Sequence, residues 1–257
     1  MAKTILLVHG AWVTPACWDL FRVRLEGFGY NTLAPAWPKV DGANEVRDWD
    51  PPREFAKLTL PQIREHYAAI TAGLPEPPLL VGHSVGGLVV QQLLDRGLGR
   101  AGVAIAPVAA HEVWPSWTAL HAALPVLLSR RSAGCVQRLP LETFAERFAH
   151  TLTPEEQETA FAQHIIPAPA KLYVQSVFGI GNGVRIANPA RAPLLLIAGE
   201  EDRIVPVNTV RALWQKYQRS PARTELRTFP GRTHWLIASP GWQEVADAVI
   251  EWAQVNR

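Results

Sequence analysis

Only two cysteines, Cys17 and Cys135, occur in 257 residues, and neither has a CxxC partner or a paired histidine spacing. A disulfide framework is therefore absent, no zinc site is implied, and the two thiols read as small buried hydrophobes. Dense runs of one charge are missing as well: 25 basic and 23 acidic residues are scattered along the chain, for a formal charge of +2. Nucleic acid is not an expected partner of so even a surface. No apolar stretch approaches the ~18 residues that a membrane span requires. The apolar run in "MAKTILLVHG" is too short for a signal peptide, so the expectation is a cytoplasmic protein with no membrane partner. Internal repeats and low-complexity segments are also lacking.

What is present is the composition of a globular protein, 48% hydrophobic and 19% charged. The length suits one large domain or a core with an insertion. Apolar runs of strand length occur at 4–8, 31–35, 78–82, 102–107, 193–199 and 224–229, each ended by Gly, Pro or a polar cluster. Runs without alternation suit parallel strands covered on both faces. Helix-period segments lie between them: "CWDLFRVRLEGFG", then "TLPQIREHYAAITAGL" with Ile63, Tyr67, Ile70 and Leu74 on one stripe, the run after Ser84, and "GWQEVADAVIEWAQ". The pattern predicts an α/β fold with a mostly parallel sheet of about six strands flanked by helices. From Val108 to Asn188 no strand is evident, only helical pieces such as "LETFAERFAHTL", "TPEEQETAFAQHI" and "KLYVQSVFG". A loop of that length without structure is improbable. Residues 1–107 and 189–257 are therefore expected to form the core, with a helical cap inserted at 108–188.

The third apolar run breaks into Gly82-His83-Ser84-Val85-Gly86-Gly87 and is followed by a helical run. A serine at the tip of a sharp strand-to-helix turn needs glycine two residues before and two after, because neighbouring backbones pass too close for a side chain. Gly82 and Gly86 hold those positions. A GxSxG string alone also fits a chance glycine-rich turn; the flanking strand and helix favour the elbow. The turn aims the N-terminus of the helix at Ser84, so the Val85 N–H can stabilise an oxyanion.

Serine needs a base and an acid that orients the base. The strand at 193–199 runs into Glu200, Glu201 and Asp202, and the last strand runs towards His234. Ser84, Asp202 and His234 thus form the expected triad, with Asp202 fixing the imidazole tautomer. Glu200 and Glu201 also suit a solvated acidic loop, and Glu112 lies further from its strand end. His66, His111, His121, His150 and His164 lack a partner pattern and read as structural, and His83 as a shaper of the elbow. His9 ends the first strand before Gly10 and Ala11. There a second oxyanion donor is required, and the Ala11 N–H is the candidate.

The segments "VHGAW", "GHSVGG", "GEEDRIVP" and "PGRTHW", in this order, resemble the α/β-hydrolase superfamily over nearly the whole chain. A start directly on the strand ending in His-Gly is similar to the compact branch of plant methylesterases, hydroxynitrile lyases and bacterial esterases. The resemblance implies the triad Ser84, Asp202 and His234, oxyanion donors Ala11 and Val85, and no cofactor or metal. It also implies limits. The lyases of that branch carry Thr after the strand-end His and Lys after the catalytic His, where this chain has Gly10 and Trp235. Relatives with an Asp nucleophile are excluded by Ser84.

Trp12, Trp114, Trp117 and Trp235 are candidate walls of a substrate pocket, although tryptophans this frequent also plug core joints. With no Arg or Lys tied to the site by motif, the expected partner is a small, neutral and mostly apolar carboxylic ester, cleaved through an acyl-enzyme. Lactone opening, C–C hydrolysis, perhydrolysis and cyanohydrin cleavage use the same triad and stay open, as does a non-catalytic ligand-binding role.

Overall fold

The computed structural model describes residues 3–40, 49–110 and 134–256. Among these, the strands are β1 (Thr4–Val8), β2 (Asn31–Leu33), β3 (Leu79–His83), β4 (Ala101–Ile105), β5 (Val136–Gln137), β6 (Ala168–Pro169), β7 (Leu194–Gly199) and β8 (Thr224–Phe229). The longer helices are α1 (Asp19–Gly27), α2 (Leu60–Ala72), α3 (Val85–Asp95), α4 (Pro154–His164), α5 (Ala170–Phe178), α6 (Val207–Tyr217) and α7 (Trp242–Val255). Six strands form one sheet in the order β2-β1-β3-β4-β7-β8. Every neighbouring pair in it is parallel.

Successive side chains of a strand point to opposite faces, and the core divides accordingly. Ile5, Leu7, Leu79, Val81, Val103, Ile105, Leu195 and Ile197 pack on one face with Phe21 and Leu25 of α1 and Val245, Val249 and Trp252 of α7. Leu6, Val8, Leu80, Ala104, Leu194 and Leu196 pack on the other with Ile63 and Tyr67 of α2, Leu88 and Val89 of α3, and Val210 and Leu213 of α6. Burial on both faces is what the unbroken apolar runs encode, each such side chain contributing roughly 1.5–3 kcal/mol. Helix α3 sits deepest, with every residue from Val85 to Leu94 buried. Helix α2 starts at a capping box, in which Thr59 Oγ1 accepts the Gln62 N–H while the Gln62 side chain accepts the Thr59 N–H. Strand β2 stops at Leu33, short of the expected 35, because Pro35 has no N–H for a ladder. No helix among the described residues is long and apolar enough to cross a membrane.

Between β4 and β7 the chain leaves the sheet. Two of the expected helical pieces are α4 and α5, but "LETFAERFAHTL" is not one regular helix. It forms a short helical turn, Leu141–Thr143, and then a π-turn, Phe144–Phe148, closed by the Ala149 N–H donating to Phe144 C=O at 3.0 Å. The packing of Phe144 against Phe148, Phe161 and Trp235 overrides the local periodicity. Strands β5 and β6 were not expected. They pair antiparallel over only two residues each, too few to register as an apolar run. This excursion is tied to the loop after β1 by an isolated bridge between Val13 and Ile165 and by the Ile166 N–H donating to Trp12 C=O at 2.9 Å.

Candidate active site

Ser84 sits between β3 and α3 with φ 56° and ψ −118°, a left-handed backbone that costs a non-glycine residue of order 1–3 kcal/mol. Its neighbours account for the strain. A Cβ on Gly82 would stand 2.2 Å from the Gly86 carbonyl oxygen, and one on Gly86 2.1 Å from that of Val8. The end of β1 thus lies directly under the first turn of α3, and only glycine fits both positions. The Ser84 N–H donates to Ile105 C=O at 2.9 Å, while its own carbonyl accepts from Gly87 and Leu88 and from Val108 across the sheet. The turn is held from three directions.

The acid follows β7. Asp202 Oδ1 accepts the N–H groups of Ile204 at 2.7 Å and Val205 at 2.8 Å, which leaves Oδ2 for His234 Nδ1, 2.7 Å away. An ionised carboxylate only accepts, so Nδ1 carries the hydrogen and Nε2 presents its lone pair. Nε2 is buried and, among the described residues, has no hydrogen-bond partner. The acid loop can reach the base loop because residue 199 is glycine: a Cβ there would stand 2.3 Å from the Arg232 carbonyl oxygen. Of the three acidic candidates after β7, only Asp202 is buried. Glu200 is engaged by Thr228 and Arg211, and Glu201 is exposed.

His234 touches the elbow through His83: the ring centroids are 4.7 Å apart and His83 Nε2 lies 2.9 Å from His234 C=O. From the other side, Phe148 of the π-turn stands edge-on to the imidazole at 5.0 Å. Ala11 and Val85 line the same cavity as Ser84, and neither amide N–H donates a hydrogen bond among the described residues. Two free donors beside a strained serine are suited to receive an oxyanion. Gly10 allows the approach, since a Cβ on it would stand 3.0 Å from Ser84 Cβ.

The cavity measures about 530 Å³ and lies between the ends of the sheet strands and the excursion. Val85, Leu139, Phe148 and Leu172 give it an apolar wall, and Trp12 lines it with its indole N–H donating to Gln137 C=O at 3.3 Å. Trp235 does not line it. Although it follows the base in sequence, its side chain is 1% exposed and packs into the core against Phe144 and His164. Trp114, Trp117, Glu112, His111 and His121 lie outside the described residues. Sequence reasoning missed Phe148, and also Glu142, Glu146, Arg147 and Arg203, which add charges of both signs to the lining. No local motif marks them; only the fold brings them to the cavity.

The remaining histidines have other surroundings. His9 stacks on Trp37 at 5.0 Å, its Nε2 accepts the Trp37 N–H at 3.2 Å, and its Nδ1 donates to Gly10 C=O at 2.9 Å. Burial pushes its pKa down to about 4, so it stays neutral and holds the loop beneath Gly10. His66 bonds Ala36 C=O at 3.0 Å. Among the described residues, no group of three or more His, Cys, Asp or Glu side chains is arranged to hold a metal ion.

Comparison with known proteins agrees with this architecture. A family model described as "Alpha/beta hydrolase family" matches residues 5–248. A monoacylglycerol lipase from Paleococcus ferrophilus is 21% identical, with a TM-score of 0.73 over 100% of this chain and 97% of that one. Tomato methylketone synthase I is 17% identical, with a TM-score of 0.71 and full coverage of both chains. An esterase from Thermogutta terrifontis is 20% identical, with a TM-score of 0.71 over 100% of this chain and 91% of that one. At such identities the likeness is one of fold. A search of curated proteins by sequence gave no match.

Proposed function

The chain belongs to the α/β-hydrolase family, and on that premise we propose that it is a serine hydrolase of carboxylic esters. Ser84 Oγ attacks the ester carbonyl while His234 Nε2 takes its proton, and the Ala11 and Val85 N–H groups hold the oxyanion. The tetrahedral intermediate collapses, the alcohol leaves with the proton from His234, and the acyl group remains on Ser84. Water, deprotonated by the same imidazole, then adds to the acyl-enzyme and the carboxylic acid is released. Asp202 holds the Nδ1 hydrogen throughout and stabilises the imidazolium that forms while Nε2 carries the proton. The observation that carries this reading is the 2.7 Å Asp202–His234 contact, which leaves Nε2 without a partner, in an imidazole whose ring stands 4.7 Å from that of His83, the residue before the strained Ser84 on the cavity wall.

The cavity's volume and apolar wall favour small to medium, mostly apolar esters, and its lining charges, Glu142 and Glu146 with Arg147 and Arg203, balance in sign and so fit a neutral one. In this reading residues 108–188 act as the cap over a core of 1–107 and 189–257. Trp12, which lines the cavity, belongs to the acyl or alcohol pocket; Trp114 and Trp117, expected there from the sequence, lie outside the described residues. Gly10 and Trp235 supply no cation for a cyanide leaving group, which favours hydrolysis over cyanohydrin cleavage. A lipase and an esterase among the proteins of similar fold are in keeping with ester chemistry.

The test combines stoichiometric labelling by a fluorophosphonate with rates on p-nitrophenyl esters of increasing chain length, set beside a lactone panel. Labelling and ester turnover that both vanish in Ser84→Ala support the proposal. Folded wild-type protein that does not label sinks it, and a lactone rate far above every ester rate moves the activity to ring opening.

A further inference from the structure

We infer that His83, the residue before the nucleophile, is a positioning residue for the base: its Nε2–H holds the main-chain carbonyl of His234 and so sets where the imidazole stands relative to Ser84. The inference rests on the triad proposed above and adds a fourth side chain to it. A carbonyl oxygen only accepts, so the 2.9 Å contact with His234 C=O places the hydrogen of His83 on Nε2. His83 Nδ1 then carries the lone pair, and it is buried without a partner, in the direction of Gly10. Burying an acceptor unpaired is unfavourable. An aliphatic side chain would fill the same space without that cost, so the gain lies with the other nitrogen.

The base residue is fixed at three points. Asp202 holds Nδ1 at 2.7 Å, His83 holds the carbonyl, and the next peptide N–H, that of Trp235, donates to Phe148 C=O at 3.0 Å. Only Nε2 is left to move protons. His83 and Ser84 are adjacent in the same turn, so the bond to His234 C=O references the base to the nucleophile's own backbone. Among the described residues, the titratable groups whose charge acts on His83 are His234 and His9. Burial first, and then the neighbouring His234, hold its pKa well below the usual imidazole range. His83 therefore stays neutral while His234 cycles through imidazolium, and does not compete for the proton. A filler role behind the elbow would need the ring's volume only; a positioning role needs the donor.

Three variants separate the two. His83→Gln carries an amide N–H about as far from the backbone as Nε2, His83→Asn carries the same group too short to reach, and His83→Leu keeps bulk without a donor. With p-nitrophenyl butyrate, kcat is expected to fall by roughly tenfold or more in the Asn and Leu variants, KM changing less than about twofold, while Gln recovers most of the loss. The downfield proton resonance of His234 Nδ1–H, read by NMR, should persist in Gln and shift or broaden in Asn. That readout reports the base without turnover, so it stands even if wild type hydrolyses no ester, in which case the function proposal fails and this one does not. Equal kcat in Gln and Asn, a kcat that follows Tm and not the donor, or an unmoved Nδ1–H resonance in Asn would overturn it. The comparison of Gln with Asn decides the matter even where Leu fails to fold.

Discussion

His234 Nδ1 and Asp202 Oδ2 stand 2.7 Å apart with both side chains sealed from solvent, at 1% and 0% exposure. Two backbone N–H groups occupy the other carboxylate oxygen. Charge-assisted hydrogen bonds strengthen where water is excluded. The acid is thereby locked in direction as well as in place.

Asp202→Asn is expected to keep the fold, because the amide oxygen can still accept from Ile204 and Val205. The amide nitrogen then faces His234 Nδ1 and selects the wrong tautomer, with Nε2–H towards Ser84. Turnover should drop on the order of 10⁴-fold. Steady-state kinetics beside a thermal melt checks it; a loss below about tenfold at unchanged Tm would remove Asp202 from the role.

Acid should destabilise the protein through His9. Its folded pKa of about 4 lies below the ordinary imidazole value of 6.5, so between the two the unfolded chain binds a proton that the folded chain refuses. Stability is full above the unfolded pKa and falls as pH drops towards 4, by roughly 3 kcal/mol from this residue alone. His83 acts in the same direction. Urea midpoints at neutral and acidic pH measure the slope, and His9→Gln, which can still accept the Trp37 N–H, should flatten it. An unaltered slope in that variant contradicts the assignment.

Gly86→Ala should prevent folding of the elbow, since its Cβ meets the Val8 carbonyl oxygen at 2.1 Å and the atoms it meets are all backbone. Gly27→Ala is the control. At the exposed end of α1, with nothing within 4 Å of a Cβ, it should stabilise by up to about 1 kcal/mol. Soluble yield and Tm distinguish them; a Gly86→Ala protein with native Tm would refute the clash.

Leu172→Trp should narrow the cavity, because Leu172 is buried and lines it. The ratio of p-nitrophenyl acetate to octanoate hydrolysis should rise. Trp235→Phe, in the core outside the cavity, should instead lower Tm by several degrees and leave that ratio alone. If Trp235→Phe moves the ratio and Leu172→Trp does not, the cavity lining is wrongly drawn.

Much of the fold was readable in the chain because two-sided burial writes itself as unbroken apolar runs. The run expected at 193–199 holds β7 (Leu194–Gly199), every residue of which is buried; the edge strand β8 matches the expected 224–229 although it is only half-buried along its length. The elbow was legible for a different reason: Gly82 and Gly86 are required by contacts within and beside one turn. The limits are equally physical. Trp235 follows the base, yet adjacent side chains in a loop diverge, and the indole turns into the core. His9 depends on Trp37, which lies 28 positions away and carries no local signal. Phe148 reaches His234 only because the π-turn departs from the helical period expected there. Strands β5 and β6 are too short for any pattern.

Phe148 joins three duties in one residue: its ring lines the cavity, the same ring edges the His234 imidazole, and its carbonyl takes the Trp235 N–H. An engineer who grafts a different insertion onto this sheet to change substrate range would therefore also remove a support of the proton carrier. In this scaffold substrate range and turnover are not separate modules, and a swapped insertion has to bring its own replacement for that aromatic ring and that carbonyl.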